Sequence, residues 1–137
     1  MTDPITDMLN RIRNASAVSQ ETVSMPFSNL IYKIAEILET RKLIGKLEKK
    51  GRKTKKVFEI ILKYDNVEKN GRQETVPCIS GLKRISKPGQ RIYKHSNEIK
   101  RVQDGYGISI ISTPKGLMLG REAKKQKLGG EVVCEIW

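Results

Sequence analysis

The chain has 137 residues, of which 37% are apolar, and its 27 lysines and arginines against 15 acids give a net charge of +12. Apolar content of this size supports one modest domain or two small ones. No stretch reaches the roughly 20 apolar residues of a membrane span, and we expect no secretory signal at the amino terminus. Each half, divided at Tyr64, carries about +6, which favours a polyanionic partner for both.

Catalytic and metal-binding patterns are weak in this sequence. Cys78 and Cys134 have neither CxxC spacing nor clustered histidines, so we interpret them as buried free thiols. His95 is the only histidine and has no nucleophile at a recognisable spacing, which indicates a surface residue. We therefore expect no enzyme activity, no metal and no cofactor.

The first helix is predicted from a cap, a proline and an apolar face. Asp3 is placed to cap the helix and Pro4 to occupy its first position. Apolar residues then recur at i, i+3, i+4 and i+7, which are Ile5, Met8, Leu9 and Ile12. Arg13 and Asn14 are left toward the outside, either as a solvated face or as an edge that contacts an RNA backbone.

The rest of the first half predicts a small α/β domain over residues 1–64. A short strand near 22–25 leads through Pro26 into a second helix, capped at Ser28 and stopped by Gly45. Alternating apolar residues over 57–64 predict a strand that forms a hairpin with 46–50. The resulting order is helix, strand, helix, strand, strand.

A dense basic run lies between Arg41 and Lys56, with nine basic residues and one acid, Glu48. One interpretation is a solvated, mobile loop. The other is nonspecific attraction to phosphates, which adds affinity and speed of encounter more than sequence choice, because the run holds no aromatic side chain to stack on bases.

Residues 65–75 are polar, contain Asn70-Gly71 and predict a linker or a turn within it. After it, residues 76–137 predict a mostly antiparallel β domain. Its strands are the short apolar runs at 76–80, 82–85, 91–93, 107–112, 117–119 and 132–136, and one brief helix is expected over 121–127. The fold class is therefore α+β, with an α/β domain followed by a β-rich domain.

A polar turn between two of these strands is the strongest candidate site. Ser112, Thr113, Pro114 and Lys115 offer two hydroxyls, one cation and a backbone stiffened by proline. Such a turn has no general base, but it can present hydrogen bonds to the sugars, phosphates and base edges of a folded RNA. The alternative is an ordinary hairpin turn, in which these residue types are common.

Two further residues extend this candidate. Tyr93 lies among cations that include Arg84, Arg91 and Lys94, so it is either a stacking surface for an unpaired base or a core residue. Glu131 is either a strand residue facing water or an acid that accepts specific hydrogen bonds from RNA, since repulsion by phosphates disfavours any other role close to RNA.

Three segments resemble the small-subunit ribosomal protein eight family. The first reads Asp3-Pro4-Ile5, then Asp7-Met8-Leu9 and Arg11-Ile12-Arg13-Asn14-Ala15, and the second reads Leu82 to Gly89 with Arg91-Ile92-Tyr93. The third contains Ile110-Ile111-Ser112-Thr113, Gly116-Leu117-Met118, Arg121-Glu122-Ala123 and Gly129-Gly130-Glu131-Val132. The family's hydroxyl loop usually reads Ser-Thr-Ser, and here Pro114 stands in the third place.

The resemblance implies a cytoplasmic, bacterial ribosomal protein that binds the central domain of small-subunit rRNA and contacts neighbouring small-subunit proteins; an organellar ribosome stays open. It implies an acid beside the hydroxyl loop, which corresponds to Glu131. The expected RNA contacts are Ser112, Thr113, Pro114, Lys115, Glu131, Arg84, Arg91, Tyr93, Lys94, Asp3, Arg13, Asn14 and Ser28. A second hypothesis is repression through its own operon mRNA. A third, an enzyme acting on nucleic acid, is disfavoured because acid, base and metal groups are missing.

Overall fold

The computed structural model describes residues 3–52 and 55–137. The chain forms two compact units. The amino-terminal unit is Asn10–Ser80, and the carboxyl-terminal unit consists of Gly81–Trp137 together with the residues up to Leu9. The predicted domains are 1–64 and 76–137; in the two units, the first turns of helix α1 group with Gly81–Trp137, and residues 65–80 group with the amino-terminal unit.

Helix α1 (Pro4–Ala17) begins where the sequence predicts. Asp3 Oδ1 accepts a hydrogen bond from the Ile5 amide at 3.2 Å, which confirms the cap. The predicted apolar face is also confirmed, because Ile5, Met8, Leu9 and Ile12 are all buried. The helix therefore forms from its own capping and spacing signals.

The amino-terminal unit contains strand β1 (Thr22–Pro26), helix α2 (Asn29–Thr40) and strands β2 (Ile44–Arg52) and β3 (Lys55–Leu62). The strands form an antiparallel sheet in the order β1-β3-β2, so β3 is central and its Phe58 and Ile60 are fully buried. The predicted element order is confirmed. Strand β2 extends beyond 46–50 at both ends, whereas β3 begins two residues before the predicted 57–64 and ends two residues earlier.

Helix α2 ends earlier than Gly45. Lys42 adopts a positive φ of 60°, and the Leu43 amide donates to the Leu38 carbonyl at 2.9 Å. This is a Schellman-type ending made without glycine. Ser28 stands at the N-cap position, but its side chain makes no capping hydrogen bond.

Residues of the predicted linker lie in a second hairpin, made of β4 (Tyr64–Lys69) and β5 (Arg72–Pro77). Asn70 and Gly71 both have positive φ, as a two-residue type I′ turn requires. Most of this hairpin is exposed, so its sequence lacks the apolar alternation from which strands are predicted. The segment therefore has regular structure of its own.

The carboxyl-terminal unit contains β6 (Leu82–Arg84), β7 (Tyr93–Lys94), β8 (Ile108–Thr113), β9 (Gly116–Leu119), helix α3 (Gly120–Lys125) and β10 (Gly130–Ile136). Short 3₁₀ helices lie at Ser96–Glu98 and Gln103–Gly105. The sheet order is β6-β10-β8-β9, and β7 also pairs with β10. The α+β class is confirmed.

Strand β10 is the centre of this sheet, since it pairs antiparallel with β6, β7 and β8. One face of the sheet packs into a core formed by Ile99, Ile111, Ala123 and Val132. β7 begins two residues later than predicted, because the Ile92 amide donates to the buried Ser86 hydroxyl at 3.0 Å instead of to a neighbouring strand.

Candidate nucleic-acid interface

A row of side chains crosses four strands of the carboxyl-terminal sheet. Glu131 on β10 is directly opposite Ser112 on β8 and Tyr93 on β7, and Ser112 is opposite Leu117 on β9. Directly paired residues share a face, with Cβ atoms about 5 Å apart. We call Tyr93, Glu131 and Ser112 the polar row. It lies on the face opposite Ile111 and Val132, because neighbouring residues in a strand point to opposite faces.

Gly130 allows the strands to approach closely at this row. A Cβ atom at position 130 would collide with the backbone carbonyl of Ser112. The glycine therefore permits the pairing that brings Glu131 opposite Ser112.

The two hydroxyls of the β8–β9 turn have different roles. The Thr113 hydroxyl donates to the Gly116 carbonyl at 2.8 Å and accepts from the Lys115 amide at 3.1 Å, and the residue is only 8% exposed. Ser112 is half-buried, and its hydroxyl has no protein partner among the described residues. The turn thus uses Thr113 internally, whereas Ser112 keeps its hydrogen-bonding capacity; Thr113 as an RNA contact stays a prediction.

Glu131 is held by an ion pair that spacing does not reveal. Arg91 Nη1 donates to Glu131 Oε1 at 2.9 Å, with the side chains 47% and 19% exposed. This hydrogen bond raises the pKa of the Arg91 guanidinium, which keeps Arg91 a cation beside the acid. A carboxylate has about four acceptor sites, so Glu131 keeps capacity for donors from a ligand.

Tyr93 projects its ring into solvent with 68% exposure, which excludes the core interpretation. Pro114 and Lys115 are exposed at the turn, and Lys94 is half-buried beside Gly130. The arrangement offers a flat ring, a hydroxyl and a partly used carboxylate in one row, with cations nearby. These groups suit hydrogen bonding and stacking on RNA rather than bond making.

Arg84 and Asp3, by contrast, are held inside the carboxyl-terminal unit. Arg84 Nε lies 3.0 Å from Asp3 Oδ2, and the side chains are 8% and 13% exposed. Arg84 also donates to the Val133 carbonyl. Burial acts to raise the pKa of Asp3, but hydrogen bonds from Thr6 and Arg84 outweigh it and hold the pKa below its ordinary value. The geometry makes this pair structural; its contact with RNA stays a prediction.

Of the candidates in the amino-terminal unit, Arg13 and Asn14 are adjacent in α1, and Ser28 follows β1. Arg13 is exposed, and its Nη1 donates to Asn10 Oδ1 at 2.8 Å; Ser28 is half-buried before α2. Asn14 is exposed and lines an open groove of about 480 Å³ between the end of α1 and β1. The other lining residues are Arg11, Ala15, Val18, Gln20, Thr22, Val23 and Ser24.

The basic run is more ordered than expected along β2. Lys49 Nζ lies 4.7 Å from the Tyr32 ring centroid and 5.3 Å from that of Phe27. Lys50 Nζ lies 3.1 Å from Glu59 Oε2. One cation of the run thus lies over two aromatic rings from outside the run. The sequence of the run alone does not indicate this contact. Lys53 and the side chain of Lys55 lie outside the described residues.

Other kinds of site find little support in the described part of the chain. Its acids, histidine and cysteines form no group of three or more that could hold a metal ion. None of its helices is long and apolar enough to cross a membrane. Burial raises the pKa of the Cys134 thiol to about 12, which keeps it unreactive, while the free Cys78 is half-buried.

Comparison with known proteins finds one family over nearly the whole chain. A family model described as "Ribosomal protein S8" matches residues 3–137. The "Small ribosomal subunit protein uS8" of Clostridioides difficile is 44% identical over 137 residues, covering 100% of this chain and 98% of the relative. Its namesake in Staphylococcus haemolyticus is 42% identical with the same coverage, and that of Microcystis aeruginosa is 44% identical over 135 residues, with 98% and 97% covered.

The family match and these relatives define a structural, non-enzymatic constituent of the small ribosomal subunit in the cytoplasm. The chain belongs to the ribosomal protein S8 family.

Proposed function

We propose that the chain binds the central domain of small-subunit rRNA and fixes a helical junction there during assembly of the subunit. The observation that carries the proposal is the polar row. Among the described residues the Ser112 hydroxyl has no protein partner, Glu131 is hydrogen-bonded by Arg91, and Tyr93 is 68% exposed.

The acid is the informative member of the row. Phosphates repel a carboxylate, so Glu131 weakens any binding that depends on charge alone. It contributes only where it accepts hydrogen bonds from base amino groups or sugar hydroxyls, which are the groups that distinguish one folded RNA from another. Arg91 offsets part of that repulsion, because it keeps a cation 2.9 Å from the carboxylate.

The polar row also explains how the chain can choose one RNA among many. Cations on both units attract any polyanion, and this attraction falls with salt. Hydrogen bonds from Ser112 and Glu131 require matched groups on the RNA, and Tyr93 requires an accessible base face. Recognition is thus assigned to three side chains from three adjacent strands.

Equilibrium binding to separate rRNA fragments tests the proposal. The purified chain is titrated against fragments of the central domain and of the other small-subunit rRNA domains at one fixed salt concentration. We expect the central-domain fragment to bind at least a hundredfold more tightly. Equal affinity for all fragments would contradict it. A fragment of the chain's own operon mRNA in the same titration tests the alternative, translational repression.

A further inference from the structure

The most exposed of the large hydrophobic side chains in the described residues is Tyr106, at 90%. It lies in the segment before β8, between Gly105 and Gly107. Folding of the unit gives no reason to display an aromatic ring in this way, because the ring buries almost no area there. The polar row does not include it.

The backbone around Tyr106 is fixed by hydrogen bonds. The Gly105 and Gly107 amides both donate to the Val102 carbonyl at 3.0 Å, and the Tyr106 amide donates to the Gln103 carbonyl at 3.0 Å. Val102 itself is 6% exposed. The ring is therefore presented from an ordered turn anchored in the unit, and little ordering cost remains when a partner binds.

Both neighbouring glycines are required by this turn. Gly105 has a φ of +97°, a conformation that L side chains rarely adopt. At Gly107 a Cβ atom would lie 2.7 Å from Val102 Cγ1 and 2.8 Å from Trp137 Cβ. The backbone conformation that exposes Tyr106 therefore requires glycine on both sides of it.

The position of Tyr106 separates it from the polar row. Ser112 lies near one end of β8 and Tyr106 precedes the other end, beyond Ile108. The four residue-to-residue steps from Ile108 to Ser112 span about 13 Å. One nucleotide cannot contact both places.

The chemistry beside the ring favours nucleic acid over a protein partner. Lys100 and Arg101 are exposed in the same segment, whereas its apolar residues Ile99 and Val102 are buried. An exposed ring in a segment that also exposes two cations resembles the surfaces on which unpaired bases stack while cations contact the phosphates. A protein-binding patch would need further exposed apolar area. The acids in this part of the sequence are Glu98 and Asp104. Glu98 Oε1 accepts a hydrogen bond from the His95 amide.

We propose that Tyr106 is a second RNA contact, which stacks on an unpaired base of rRNA outside the fragment bound by the polar row, while Lys100 and Arg101 contact its phosphates. The inference rests on the proposed function, since it assumes that rRNA is the partner. It predicts a contact that is formed in the assembled subunit and is absent from a complex with the central-domain fragment alone.

Two variants separate ring stacking from the other properties of the tyrosine. Tyr106→Phe keeps the ring, and Tyr106→Ala removes it; both are assembled into small subunits with the remaining proteins and rRNA. We expect the alanine variant to expose one rRNA base to chemical probing that the wild-type chain and Tyr106→Phe protect, and to be retained about tenfold less tightly. Affinity for the central-domain fragment should change less than twofold. Identical protection by all three chains would overturn the inference while leaving the proposed function intact.

A photoreactive phenylalanine derivative at position 106 gives a readout that does not depend on the stability of the alanine variant. Crosslinking in assembled subunits should join this residue to rRNA. Crosslinking to a protein, or none, would overturn the inference. Emission of Trp137, the only tryptophan, reports whether the carboxyl-terminal unit is folded, because its indole lies against Gly81 and its Cβ atom against Gly107. Failure of the wild-type chain to bind any rRNA would instead refute the proposed function.

Discussion

The β2–β3 hairpin and the polar row both lie among basic residues, but their charged side chains have different partners. In the hairpin, Lys49 lies over two rings and Lys50 pairs with Glu59, and neither arrangement selects a particular RNA. In the row, Arg91 orients Glu131 directly opposite Ser112. The hairpin has the higher density of charge, while the row has the groups that can match a partner's donors and acceptors.

This comparison separates affinity from selectivity. Long-range attraction depends on the number of cations and is screened by salt. Selectivity depends on hydrogen-bonding groups whose loss leaves a partner group unsatisfied. A chain with +12 needs both, because attraction alone would hold it on any RNA.

The largest effect is expected from the Arg84–Asp3 ion pair of the carboxyl-terminal unit. Arg84→Met removes the charged partner of Asp3 and the hydrogen bond to the Val133 carbonyl. Because the pair is mostly buried, the free energy of unfolding should fall by about 3 kcal/mol, measured by urea denaturation. Lys83→Met, an exposed neighbour, is the matched control and should change stability little.

The same ion pair predicts an acid-sensitive stability. The pKa of Asp3 is lower in the folded chain than its ordinary value, so its stabilisation is complete above about pH 4 and is lost as the pH falls through the folded pKa. Denaturation curves between pH 6 and pH 2 should show a smaller loss for Asp3→Asn than for the wild type. Parallel curves for the two proteins would show that Asp3 is not linked to folding.

Glu131→Gln tests whether the row carries selectivity. The change removes a negative charge, so unrelated RNA should bind slightly more tightly. Cognate RNA should bind about twentyfold more weakly, because hydrogen bonds to the carboxylate are lost. Tighter binding of both RNAs would identify Glu131 as a solvated carboxylate and break the comparison.

Ser112→Ala and Thr113→Val distinguish the roles of the two hydroxyls of the turn. Ser112→Ala should weaken cognate RNA by about tenfold, with unrelated RNA and stability unchanged, because only a ligand-directed hydroxyl is lost. Thr113→Val should lower the melting temperature instead, since it removes both hydrogen bonds that close the turn. The reverse assignment would show that Thr113 is the RNA contact.

The smallest effect on selectivity is expected from the hairpin. Glutamine at Lys49, Lys50, Lys53, Lys55 and Lys56 together should weaken cognate and unrelated RNA by a similar factor, and should reduce the salt dependence of binding by about 0.7 to 0.9 log units for each lost contact. Filter binding at several salt concentrations measures both quantities. Selective loss of cognate RNA would place recognition in the hairpin.

Much of the scaffold is encoded locally. The cap at Asp3 and the spacing of Ile5 to Ile12 predict α1, and alternation predicts β3. The β4–β5 hairpin was not predicted, because its strands are mostly exposed and lack apolar alternation, although Asn70-Gly71 is a strong turn signal.

The sequence predicts which residues form the site better than it predicts how they are arranged. Residue types identified Ser112, Tyr93 and Glu131, but the Arg91–Glu131 pair joins residues 40 positions apart, and no local pattern encodes such a contact. The division of labour between Ser112 and Thr113 likewise depends on which hydroxyl faces the Gly116 carbonyl. Both features arise only when the sheet has formed.

The ratio of affinities for central-domain rRNA and for a scrambled RNA of equal length tests the central claim most directly. It is measured at one salt concentration for the wild type and for Ser112→Ala, with Thr113→Ser as a variant that keeps the hydroxyl closing the turn. We predict a ratio of at least a hundred for the wild type and Thr113→Ser, falling about tenfold in Ser112→Ala. A wild-type ratio near one, or a ratio that Ser112→Ala leaves unchanged, would contradict recognition through the polar row.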